Sequence, residues 1–109
     1  MKKYWDSEEL IEFFTFTKKE LEILKNKSDE TKLGFAILFK FFQYNGRFPT
    51  HKKEISKDII KFISKQLKIK AVTFNSYNWK SRTIKYHRAQ IRKYFKFSEA
   101  TLSKTEEMT

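Results

Sequence analysis

The chain contains no cysteine. That excludes a disulfide framework and a thiolate metal site, and it fits a reducing compartment without requiring one. Only two glycines, Gly34 and Gly46, and one proline, Pro49, are present. Folds built on many tight β-turns need more of both, so the scarcity favours helices. Two isolated glycines also cannot make a phosphate-cradling loop. With only His51 and His87 beside them, the carboxylates form no clustered metal-ligand set. No apolar run approaches the roughly 18 residues of a membrane-spanning helix. The opening Met1-Lys2-Lys3-Tyr4-Trp5-Asp6 is not followed by the apolar core of a signal peptide. One absence is local: from Ile59 to Ser98 there is neither Asp nor Glu.

That acid-free window carries Lys61, Lys65, Lys68, Lys70, Lys80, Arg82, Lys85, Arg88, Arg92, Lys93 and Lys96. The rest of the 109 residues balances its charges, so the whole net charge of +11 sits in this window. A charge asymmetry of this kind points to a polyanionic partner. Twelve Phe, five Tyr and two Trp supply a core large enough for one folded domain.

The hydrophobic spacing predicts an all-α fold of five to seven helices. Ser7 is the expected cap of a first helix from Glu8 to about Phe16, with Leu10, Phe13 and Phe14 inward. Thr17 and Glu20 form a capping-box pair that opens a second helix, whose buried face is expected at Leu21, Ile23 and Leu24. Asn26, Ser28 and Asp29 mark a break. A third helix from about Glu30 to Tyr44 is apolar on most sides and belongs at the centre. Asn45-Gly46 suits a left-handed C-terminal cap, and Pro49 forbids continuation. A fourth helix starts at Ser56 and ends near Leu67. One short turn is expected at Ala71–Phe74, then a loop at 75–78, with Trp79 plugging the core. Ser98 reads as a further helix start, followed by a tail without an apolar finish.

The stretch from Ser81 to Lys96 is the most informative. Ser81 is a good N-cap. Residues placed about 100° apart put Ile84, Ile91 and Phe95 on one stripe, flanked by His87 and Tyr94 on one side and Arg88 on the other. Arg82, Lys85, Arg92, Lys93 and Lys96 fall opposite, around Ala89. Surface helices usually mix charge signs and gain i,i+4 pairs. A one-signed face with a small residue at its centre suits close approach to nucleic acid, against the alternative of a merely solvated face. His87 is expected to be packed and hydrogen-bonded, with a phosphate contact as the alternative. Tyr86 lies at the edge of the arc and is a contact candidate. Arg47, His51, Lys52 and Lys53 form a second polar segment that either touches a phosphate backbone or is a solvated loop. Glu8, Glu9 and Glu12 read as a solvated face. No Ser, Thr or Lys has an evident base and orienting partner. No catalytic residue, cofactor or metal is expected in these residues.

Two blocks carry a family resemblance. The first is Leu33-Gly34-Phe35-Ala36 followed by Lys40-Phe41-Phe42-Gln43-Tyr44-Asn45-Gly46-Arg47-Phe48-Pro49. The second is Tyr77-Asn78-Trp79, then Arg82-Thr83-Ile84-Lys85, then His87-Arg88-Ala89-Gln90-Ile91-Arg92. From about Thr17 onward the chain resembles the N-terminal domain of the Tn3 family of replicative transposases. Tyr86 stands where the family commonly has a basic residue, and Ser81 where it commonly has glycine. The resemblance implies an N-terminal fragment of a far larger transposase, whose acidic catalytic core lies elsewhere. It also implies binding of transposon terminal inverted repeats.

The expectation is thus a single helical DNA-binding domain over residues 1–109, with a helix-turn-helix-like unit from Ser56 to Phe95. The expected function is sequence-specific binding of double-stranded DNA. Arg82, Lys85, Arg92, Lys93 and Lys96 lead as contacts, then Tyr86, Arg88, Gln90 and Arg47. The expected setting is the bacterial cytoplasm, at the nucleoid, with no membrane partner and with self-association reserved to the full-length protein. The competing readings are a helical transcriptional regulator, an RNA-binding module, or a basic module that docks an acidic protein.

Overall fold

The computed structural model describes residues 4–25 and 27–98, and it is all-α among them. Five α-helices run in order: α1 (Ser7–Phe14), α2 (Lys18–Leu24), α3 (Asp29–Asn45), α4 (Lys57–Leu67) and α5 (Arg82–Ser98). Two 3-10 turns, Lys52–Glu54 and Ala71–Ser76, lie in the connections on either side of α4. No described helix is long and apolar enough to cross a membrane.

Local chemistry sets the ends of these helices. The first helix starts one residue earlier than its spacing predicts. Asp6, not Ser7, is the cap: its carboxylate accepts from the Glu9 amide at 2.9 Å, while the Glu9 carboxylate accepts from the Asp6 amide at 3.2 Å. A carboxylate satisfies the orphan amides and also favours the positive end of the helix dipole. The helix stops at Phe14, because the backbone at Thr15 is extended. Thr17 and Glu20 form the expected box at the start of α2. Gly46 closes α3 in the left-handed conformation, φ 77°, with its amide donating to the Phe42 carbonyl at 2.8 Å.

α3 is the axis. Every residue from Leu33 to Phe41 is buried, Lys40 included. The other four α-helices pack as follows: α1, α2, α4 and α5 all contact α3, and α1 also meets α4. Both α4 and the Ala71–Ser76 turn rest on α3 and on each other. α4 and α5 share α3 as a partner and are joined by a long connection rather than a three- or four-residue turn. Among the described residues α4 and α5 do not pack on each other, so the expected helix-turn-helix-like unit is not a packed helix pair.

Some burial differs from the periodic expectation. Phe13 and Leu21 remain exposed, because α1 and α2 are short and each offers α3 only a narrow strip. Trp5 lies outside any helix yet is buried, edge-on to Phe14 at 5.0 Å and to Tyr44 at 5.2 Å. Tyr77, expected in a loop, is core. Its ring lies against the backbone of Gly34, and a Cβ there would overlap it. Glycine at 34 is therefore required by close approach rather than by backbone conformation. The helix also runs through Ser98, which is not a new start. The tail after Ser98 and the Asn26 break lie outside the described residues.

Candidate nucleic-acid interface

α5 is held by its apolar stripe. Ile84, Ile91 and Phe95 are buried, as the wheel predicts. Phe95 packs with tilted rings against Phe39 at 4.8 Å and Phe42 at 5.5 Å, and Tyr94 meets Phe39 at 5.1 Å. Fully burying side chains of this size stabilises by roughly 1.5–3 kcal/mol each, which fixes the rotation of α5 about its axis. Ser81 precedes the helix, and its hydroxyl donates to the Asn78 carbonyl at 3.0 Å.

His87 completes the inner seam. It is 6% exposed, edge-on to Phe35 at 5.0 Å, and shares a 2.6 Å hydrogen bond between Nδ1 and the Tyr77 hydroxyl. Burial, helped by the nearby Lys27 charge, pushes its pKa down to about 4. The imidazole is thus neutral near pH 7 and faces inward, so it belongs to the packing and not to the outer face. Burial pushes the Tyr77 hydroxyl up.

With the inner stripe fixed, the opposite side chains are exposed: Arg82, Lys85, Tyr86, Ala89, Gln90, Arg92, Lys93 and Lys96. Tyr86 is 69% exposed and presents an aromatic ring on the outer side of the helix. Among the described residues no carboxylate makes a salt bridge to any cation of α5; the ion pairs are Lys40–Glu20 and Arg47–Glu54. A cationic face without partners loses intrahelical stabilisation but leaves every charge available to an external anion.

The two edges of this face are built by other elements. On one edge Lys27, from the α2–α3 connection, donates to Gln90 Oε1 at 3.1 Å while its ammonium lies 4.4 Å from the Phe35 ring centroid. Partial burial pushes the Lys27 ammonium down. On the other edge Phe48 packs on Phe42 at 4.6 Å and carries two guanidinium groups, Arg88 at 5.9 Å and Arg92 at 5.1 Å. Arg88 is half-buried, and its Nε is buried without a hydrogen-bond partner.

The second polar segment divides. Arg47 is half-exposed, but its guanidinium pairs with Glu54, donates to the Phe48 carbonyl at 3.0 Å and lies 5.4 Å from the Phe41 ring. The Arg47 guanidinium, with the Thr50 amide, holds the Glu54 carboxyl down at about 2. Lys52 donates to the carbonyls of Phe74 and Asn75, at 3.1 and 3.2 Å, and so ties the first 3-10 turn to the second. His51 and Lys53 are exposed. Trp79 is half-buried, edge-on to Phe74 and Tyr77, with its indole N–H donating to the Thr50 carbonyl at 3.2 Å. Lys27, Phe48 and Tyr77 are contributors that helix periodicity misses. Pro49 was a signal for Phe48, since the residue before proline is held extended and out of a helix.

Among the described residues no three His, Cys, Asp or Glu side chains come together as a metal site. The remaining charged cluster, Lys40 with Glu20 and Gln43, lies at the α2–α3 seam and bonds internally.

The geometry defines a class: an all-α domain that presents one acid-free cationic helix on an aromatic core. A family model described as "Domain of unknown function (DUF4158)" matches residues 1–109, and the chain belongs to that family. Over 92 residues, 84% of the chain, it is 36% identical to the transposase for transposon Tn1546 of Enterococcus faecium. Over 97 residues, 88% of the chain, it is 24% identical to the transposase for transposon Tn501 of Pseudomonas aeruginosa. These matches cover 9% and 10% of the two transposases, so the chain is a transposase-related domain spanning about a tenth of their length. No solved structure matches it.

Proposed function

We propose that this domain binds double-stranded DNA through the outer face of α5, as the part of a Tn3-family transposase that recognises the transposon's terminal inverted repeats. One observation carries the reading: the buried stripe of α5 turns every exposed cation of that helix to a side with no carboxylate partner among the described residues. Similarity to two transposases supplies the biological context. In this reading α5 lies in a major groove, with α3 rather than α4 as the helix that supports it. Arg82, Lys85, Arg92, Lys93 and Lys96 contact the duplex, with Tyr86, Arg88 and Gln90 at the edges. Arg47 acts beneath the face by bracing the loop. The domain works in the bacterial cytoplasm, at the nucleoid, and leaves strand cleavage to another part of the protein.

The test is a salt titration. Neutralising about five phosphates gives a log–log slope of roughly −4 to −5 for duplex binding. Ala89→Glu places a negative charge at the centre of the face, far from the buried stripe, and should abolish binding while leaving the circular dichroism unchanged. Binding that does not weaken with salt, or a folded Ala89→Glu variant that binds like the parent, removes α5 as the DNA-facing element. RNA, single-stranded DNA and an acidic protein serve as competitors.

A further inference from the structure

Phe48 lies at the meeting of the α3–α4 connection with α5, and it holds two arginines at once. Arg88 and Arg92 are one helical turn apart on α5, so their side chains are neighbours. Both guanidinium groups lie within 6 Å of the same ring centroid, at 5.9 and 5.1 Å. Attraction to a ring quadrupole favours each of them there, but it does not cancel their charges. Among the described residues neither has a carboxylate partner, and Arg88 keeps a buried Nε with no acceptor. Two unneutralised guanidinium groups at one ring repel each other, and an unpaired buried N–H adds a further cost. An anion placed between their outer nitrogens would relieve the repulsion.

The ring itself is fixed. Phe48 packs on Phe42, its carbonyl accepts from Arg47, and Arg47 is in turn anchored by Glu54. Pro49 follows and is buried. Loop residues are ordinarily mobile. Here a salt bridge, a proline and an aromatic contact hold one loop side chain under two cations. That arrangement suits a planar fork, since guanidinium can lie flat on a ring and still offer paired N–H donors to a phosphate.

We propose that Arg88 and Arg92, held on the Phe48 ring, form a clamp for a single backbone phosphodiester of duplex DNA at the edge of α5 nearest the α3–α4 connection. This rests on the reading of α5 as the DNA-facing helix. Phe48 is a positioning residue, and Arg47 positions Phe48. The clamp assigns Arg88 and Arg92 to register on the backbone rather than to base reading.

The experiment measures binding of the 109-residue chain to one fixed 30-base-pair duplex across salt concentrations, with circular dichroism on every variant. A shared phosphate makes a specific prediction. Arg88→Ala and Arg92→Ala should each weaken binding about 5–10-fold and lower the salt slope by about one unit, and the double variant should do no more than either single. Arg88→Lys with Arg92→Lys keeps the charge but loses the fork, and should still weaken binding several-fold. Phe48→Tyr should bind like the parent, whereas Phe48→Leu should weaken binding with charge unchanged. If Phe48→Leu does not fold, the paired Arg→Lys variant decides. A double Ala variant that lowers the slope by two units overturns the clamp, since two phosphates are then involved. So does a paired Lys variant that binds like the parent. In both cases Ala89→Glu still abolishes binding if α5 is the DNA-facing helix. If Ala89→Glu binds normally, the underlying reading has failed instead.

Discussion

α3 and α5 are both 17 residues long, and they use charge in opposite ways. Inside α3 the cation Lys40 is 3% exposed. Its ammonium has three donors, and three acceptors meet them: Thr15 O at 2.8 Å, Glu20 Oε1 at 2.9 Å and Gln43 Oε1 at 2.9 Å. Burial pushes Lys40 down, and Glu20 pushes back. Burial also opposes ionisation of Glu20, but the Thr17 amide, Lys40 and Gln43 outweigh it and hold the carboxyl below its usual range. In α5 the cations other than the half-buried Arg88 are outward, and none has a carboxylate partner among the described residues. Charge on a helix thus has two uses here. A satisfied, buried charge fixes how elements meet; an unsatisfied, exposed one leaves something for a partner to satisfy.

Removing the α3 pairing should have the largest effect. Glu20→Leu strands the Lys40 ammonium in a buried site, and breaking a buried pair on one side costs about 3–5 kcal/mol. Adding Lys40→Met should restore most of that loss, because apolar replacement of both partners is often neutral. Urea unfolding of the single and double variants measures it. A Glu20→Leu variant as stable as the parent would mean that Lys40 escapes to water and that α3 holds no essential charge.

The seam between the two helices titrates. His87 has a folded pKa of about 4, below its ordinary 6.5, so between those values the unfolded chain binds more protons. Stability contributed by the neutral ring is therefore full above about pH 6.5, falls as pH drops towards 4, and is lost below that. The whole effect is at most about 3 kcal/mol. Glu54, held at about 2, gives up its contribution only as pH falls from about 4.5 towards 2, so it touches just the acid end of this window. Unfolding free energy measured from pH 7.5 to 4 should fall in the parent and stay flatter in His87→Phe. Equal slopes would place the ring in water.

Gly34 gives a smaller effect on the same seam. Gly34→Ala forces a methyl against the Tyr77 ring, and overpacking of this kind costs about 1–3 kcal/mol. The melting temperature should fall while the salt slope of DNA binding stays unchanged. A change in slope without a change in melting would show that this contact serves the outer face.

How much of this was legible in the chain follows from the same contrast. The periodicity of Ile84, Ile91 and Phe95 fixed both faces of α5, because a helix buried on one stripe has no other rotation available. The Thr17–Glu20 box and Gly46 were legible because capping is a local matter. The Asp6 cap was misplaced by one residue, since Asp6 and Ser7 are both competent caps and the choice rests on which reaches Glu9. Tyr77, Phe48 and Lys27 could not be placed, because their roles depend on partners 43, 40 and 63 positions away, at Gly34, Arg88 and Gln90. Helical spacing carries no information at that range. Lys40 and Glu20 are a similar case, since their pairing exists only after α2 folds onto α3.

The smallest expected effect concerns Lys27, which sits between the two uses of charge. Its ammonium lies over Phe35, part of the core, yet its hydrogen bond goes to Gln90, part of the outer face. That bond occupies Gln90 Oε1 and leaves the amide nitrogen free to donate to a partner. A glutamine reading adenine needs both its oxygen and its nitrogen, one accepting from N6 and one donating to N7. With the oxygen engaged, Gln90 offers mainly donors, which match the guanine N7 and O6 acceptors or a phosphate oxygen. Lys27→Met keeps an unbranched side chain of similar length and frees the amide to turn. Duplex binding should weaken by about 1 kcal/mol, the worth of one hydrogen bond, with melting nearly unchanged. Discrimination at one base pair should also relax, seen as a flatter affinity series across the four base pairs at that position. In a Gln90→Ala background the same substitution should leave that series untouched. If Lys27→Met lowers the melting temperature and leaves base discrimination intact, Lys27 belongs with Lys40 as a charge of the fold, and the outer face ends at Gln90.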